Sequence, residues 1–153
     1  MSGTELIKEQ FEKAFYGGAW HGPSVMEALE NVSAEKAVSK PFNIAHSIWE
    51  IALHINAWQL CTITRLKGEF NEPTPEEDWP EVKNGTQSSW EITIDNLKNS
   101  AAELLLSISK LGEHILDSNI AGNDITYYFL IHGLIQHDIY HAGQITLIKK
   151  ALS

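Results

Sequence analysis

Four long stretches of the chain repeat apolar residues at the three- and four-residue spacing of an amphipathic helix, and turn-forming residues separate them. The first runs from Thr4 to Tyr16, with Leu6, Ile7, Phe11, Ala14 and Phe15 on one face, and Gly17-Gly18 ends it. Ser24 stands three residues before Glu27, the spacing of a capping box, and opens a short helix through VMEALENV. Ser33 caps a further turn, and Pro41 fits the first turn of a second long helix over Phe42 to Gly68. The segment from Glu69 to Gln87 holds Pro73, Pro75 and Pro80 among acidic residues and is the longest irregular stretch. A third helix starts at Ser88 or Ser89. Its apolar stripe is Trp90, Ile94, Leu97, Ala101, Leu104, Leu105, Ile108 and Leu111, and Gly112 suits its end. Asn123 or Asp124 caps a fourth, from Ile125 to Leu152, with Lys149 and Lys150 in the last turn, where cations are favoured.

No strand pattern competes, so the chain reads as all-α: a four-helix bundle with short accessory helices, one domain over residues 1–153. At least one connection is long enough to cross the bundle, so a simple up-down-up-down order is not assured. Composition narrows the function. Eleven Lys+Arg against twenty Asp+Glu give a charge of −9. That opposes binding to a nucleic-acid backbone or to anionic lipid, both of which need a basic face. No apolar run approaches the roughly 20 residues of a membrane span, and the N-terminus has no signal-peptide core. The lone Cys61 excludes an internal disulfide and fits a reducing cytoplasm.

The candidate chemistry lies in three histidines. His137 and His141 stand at i and i+4, about 40° apart around a helix and about 6 Å apart along it, a spacing at which one helix gives two ligands to one ion. The zincin glutamate is missing between them, so no catalytic base comes with the pair. His54 lies within the apolar run Ile51-Ala-Leu-His-Ile55, where an unpaired imidazole costs about 1–3 kcal/mol. It sits near the middle of its helix, as His137 and His141 do in theirs. Lengthwise packing of the two helices would bring all three to one point. Three neutral imidazoles suit Zn, Ni or Fe with one or more open positions.

The Ile-Ala-Leu-His54-Ile run, together with His137-x-x-x-His141-x-Gly143-Gln144-Ile145, Asp78-Trp79-Pro80 and Trp90, resembles the DinB-like superfamily. That group includes bacillithiol transferases of the YfiT type and metal-dependent maleylpyruvate isomerases. The resemblance spans most of the chain. It implies an up-down-down-up four-helix bundle, one divalent metal ion per chain on His54, His137 and His141, and a homodimer. It also implies transfer of a low-molecular-weight thiol to an electrophile, or metal-assisted hydrolysis, on a small-molecule substrate. The competing reading is a metal-binding or stress-response module without turnover.

Other residues divide between roles. Glu50, one turn before His54, is a fourth ligand, a group that orients His54, a proton acceptor, or a capping carboxylate. Gln144 holds a metal-bound water or fixes a helix contact. Gly143 reads as a site of close helix packing, Asp138 as solvent-exposed, and His46 as a helix-surface or hydrogen-bonded residue. Cys61 reads as a small buried packing residue, Trp49 and Trp58 as core, and His132 as lying off the site.

Overall fold

The computed structural model describes residues 1–43 and 45–153. Their helices are α1 (Gly3–Phe15), α2 (Val25–Leu29), α3 (Ala34–Val38), α4 (Ile48–Leu66), α5 (Pro75–Asp78), α6 (Gln87–Ser109) and α7 (Tyr127–Ala151), with a short 3₁₀ turn at Glu113–Ile115. No strand forms among the described residues; a single bridge joins Asn119 to Thr126. Nor is any helix among them long and apolar enough to cross a membrane.

Side-chain caps set most of the boundaries. Ser2, Ser24, Ser47 and Thr74 each close a capping box with a glutamate three residues on, namely Glu5, Glu27, Glu50 and Glu77. The start of α4 therefore differs from the expected one. Pro41 does not begin it, and Phe42, Asn43, Ala45 and His46 lie before the helix. Ser47 accepts from the Glu50 N–H and the Glu50 carboxylate returns to the Ser47 N–H, fixing the first turn at Ile48. Ile44 lies outside the described residues. The fourth long helix likewise starts from Thr126 rather than Asn123 or Asp124. The acidic connection after α4 is not wholly irregular: α5 forms there, with Pro75 at its start.

Cross-helix pairs fix the directions. Trp49 donates to Thr93, Ser100 meets Asn56 and Gln59, and Lys67 reaches Glu103. Numbers rise together along both helices, so α4 and α6 are parallel. Against α7 the order reverses: His54 lies beside His141, Trp58 beside His137, and Arg65 shares a cavity wall with Phe129. At the other side, Gly3 abuts Leu116, and Ala14 lies near Ile135 and Ile139, so α1 runs with α7. The order is up-down-down-up. Helices α4 and α1 each touch both α6 and α7.

The core fills the space between the four long helices. Phe11, Phe15, Ile48, Ile55, Leu97, Leu104, Ile108, Ile131 and Ile145 are fully enclosed. Two indoles that could not be buried unpaired find acceptors: Trp49 on Thr93, and Trp90 on the Val32 carbonyl. Parallel neighbours α4 and α6 cannot be joined by a short turn. The chain from Lys67 to Thr86 must travel back along the bundle, and α5 lies on that return path. Replacing Ser47 by Ala removes the cap of α4 and is expected to lower unfolding free energy by about 1 kcal/mol, measured by urea denaturation.

Candidate metal centre

Helix α4 brings His54 to the interior, and α7 brings His137 and His141 to the same point. One ring nitrogen from each lies within 4.8 Å of the others. His54 and His141 are buried and His137 is half-buried. The rings of His54 and His137 are centred 4.8 Å apart, those of His54 and His141 4.7 Å, and those of His137 and His141 4.4 Å. No other side chain that commonly binds metal joins this cluster among the described residues.

Hydrogen bonds decide which nitrogens are left over. His54 Nδ1 lies 2.7 Å from the Asp78 carbonyl oxygen, which can only accept, so the proton of neutral His54 sits on Nδ1. His141 Nδ1 lies 2.6 Å from Gln144 Oε1 and donates in the same way. Both Nε2 atoms then carry bare lone pairs. His137 Nε2 lies 2.9 Å from His54 Nε2. Either His137 donates an Nε2 proton to the His54 lone pair, or a cation lies between the two nitrogens. The donor set therefore fits a divalent cation with imidazole affinity. Burial is the main reason that His54 and His141 protonate with difficulty, and the His137 charge adds to it; His141 falls to about 4.

The return segment roofs the site. Asp78 takes His54 through its backbone, and its Oδ1 accepts from Trp58 Nε1 at 2.6 Å. The Trp79 ring is stacked between His54, 3.8 Å away, and His46, 3.6 Å away. His46 is thus a stacking residue at the site's edge, not a ligand. Gln144 is the group that orients His141. Glu50 turns away: its carboxylate takes the Ser47 N–H and the Lys40 ammonium. Those bonds outweigh its partial burial and hold its carboxyl below the usual range.

Asp138 reverses an expectation. It is fully buried, not solvent-exposed. Neither carboxylate oxygen has a hydrogen-bond partner, and burial raises its carboxyl above the usual range. Its Oδ1 lies 3.5 Å from His137 Nδ1, which is also without a partner. A carboxylate behind a ligand histidine fixes the ring and raises its basicity. Sequence spacing carried the signal, because Asp138 falls in the inward stripe of Ile131, Leu134, His141 and Ile145. Gly143 does not pack closely against a helix: it is exposed, and a Cβ there would meet nothing. Cys61 is buried, and burial pushes its thiol up, away from reactivity. Trp49 is core, whereas Trp58 is only partly buried and lines a cavity beside His137. His132 is exposed, stacked on Tyr128 and off the site.

A family model described as DinB superfamily matches residues 20–145. No curated protein matches the chain significantly.

The depressed His141 gives a pH prediction for the metal-free protein. Between about 6.5 and 4 the unfolded chain binds a proton at this position that the folded chain refuses. Folding stability must therefore fall as pH drops through that window, by on the order of 3 kcal/mol. Urea midpoints at pH 7.5 and 4.5 measure it, and His141→Gln should flatten the slope.

Proposed function

Because the chain belongs to the DinB superfamily and three of its histidines meet at one buried point, we propose that it is an enzyme dependent on one divalent ion held by His54, His137 and His141. The observation that carries this reading is the meeting of three imidazoles at one buried point, with the Nδ1 atoms of His54 and His141 already committed to oxygen acceptors and their Nε2 lone pairs left free. Bound there, a divalent cation supplies Lewis acidity that makes a thiol or a water a better nucleophile at neutral pH. The chain's own residues do the rest. Asp78 and Gln144 hold two rings in one tautomer, and Asp138 stands behind the third. Trp79 covers one side of His54 and limits water.

Three protein ligands leave at least one position for an exogenous group, which favours turnover over storage. With Glu50 occupied at the helix start, no fourth side chain among the described residues closes the set. The reaction class is transfer of a low-molecular-weight thiol to a small electrophile, with hydrolysis as the second form of the same chemistry. Zn, Ni and Fe all suit the donors. A homodimer and a cytoplasmic setting complete the proposal; exposed Tyr140 and Leu147 on α7 give apolar surface for pairing.

Elemental analysis of untagged protein tests the premise. Under about 0.2 metal per chain, with no uptake of Zn²⁺ or Ni²⁺, would overturn it. His141→Ala is expected to lower metal affinity by more than tenfold with helicity intact, and Asp138→Asn by roughly tenfold, whereas Glu50→Gln should leave it unchanged. Competition against a chromophoric chelator reads all three. A panel of thiols against a chlorinated aromatic and a bimane then tests turnover, and inactivity across it would favour the non-catalytic module.

A further inference from the structure

A cavity of about 260 Å³ opens between α4 and α7, lined by Trp58, Thr62, Arg65, Phe129, Gly133 and His137 among others. Its walls are mainly apolar, and one end reaches the histidine cluster through His137. The other end holds Arg65, whose residue is only 9% exposed. The distance from Trp58 to Arg65 along α4 is seven residues, about 10 Å.

Arg65 is the unexplained group. A buried guanidinium normally pairs with a carboxylate, because an unpaired buried charge is strongly disfavoured. Among the described residues no carboxylate lies in ion-pair contact with it. Nε and Nη2 both donate to a single oxygen, the Asn71 carbonyl. The rings of Trp58 and Phe70 lie 5.7 and 5.3 Å from its central carbon. These contacts hold the cation in place without neutralising it, in a chain whose net charge is −9.

Gly133 is the second observation. It lies one turn before His137 in the interior of α7, where glycine is disfavoured relative to alanine. Its φ is not in the left-handed region, and a Cβ there would meet nothing within 4 Å. Neither backbone conformation nor close packing demands it. Its absent side chain keeps the cavity open beside the histidines.

We propose that this cavity binds the substrate, and that the substrate is an amphipathic small molecule. Its apolar body lies along Trp58 and Gly133, its carboxylate pairs with Arg65, and its reacting end reaches His137. The assignment of the reacting end rests on the metal-enzyme reading; the carboxylate site does not.

The test uses 3-phenylpropanoate and the neutral 3-phenylpropanol on metal-free, full-length protein, followed by ¹H–¹⁵N NMR. The carboxylate should bind at least tenfold more tightly than the alcohol, with shifts concentrated on α4 after Trp58 and on α7 before His137. Arg65→Met should abolish the preference, and Arg65→Lys should restore part of it. Gly133→Leu, which favours the helix, should weaken both ligands by tenfold or more without unfolding the chain. Equal binding of the two ligands, no binding of either, or indifference to Gly133→Leu would each overturn the proposal. Metal uptake is measured separately on the same samples. Selective carboxylate binding without metal uptake would sink only the metal-enzyme reading, and metal uptake without carboxylate preference only this one.

Discussion

The contact on which the site depends is the one between His54 Nδ1 and the Asp78 carbonyl. An imidazole buried in an apolar helix face must find a partner, and α4 has none to offer, since its own carbonyls are used within the helix. The return segment supplies it. That one bond sets the His54 tautomer, brings Trp79 onto the His54 ring and places the Asp78 carboxylate over Trp58. With Trp58 on the Asp78 carboxylate and Arg65 on the Asn71 carbonyl, it pins the segment between α4 and α6 to the bundle. The parallel pairing of α4 and α6 makes such a long return obligatory, and the bond gives it a fixed position.

A second constraint runs through the bundle's centre. Asp138, Gln59, Ser100 and Asn56 form a polar seam between α7, α4 and α6, flanked by fully buried apolar residues. Leucine in these places would pack without any desolvation penalty. Ser100 serves the Asn56 and Gln59 oxygens, whereas Asp138 and Gln59 Nε2 have no partner, and the seam ends at His137. Helix α7 can host it because α1, α2 and α4 all pack on that helix and enclose its inner side.

This explains what could and could not be read from the chain. Four amphipathic helices were legible because their stripes are long, and the short helices at Ser24 and Ser33 because their caps are local. The triad was legible because i, i+4 spacing and a histidine in an apolar run are both local patterns. Pro41 offers a plausible first turn for α4, yet the Ser47–Glu50 box six residues on is the stronger signal and sets the start. The box at Thr74–Glu77 was there to be read but sat among prolines that suggested only a loop. Asp138 is buried although it points away from His137, because α7 has neighbours on several sides. The role of Asp78 was not accessible at all: a backbone acceptor leaves no mark in side-chain identity.

His54 and His137 stand 83 residues apart, and the groups that serve them come from the segment between α4 and α6 and from α7 itself. Closing a loop of that size costs entropy that no single helical turn repays. Individual helices can therefore form early, on local contacts, while the meeting of the imidazoles awaits nearly complete assembly. A chain with its full complement of helix and a loosened interior would look native by circular dichroism and yet possess no site.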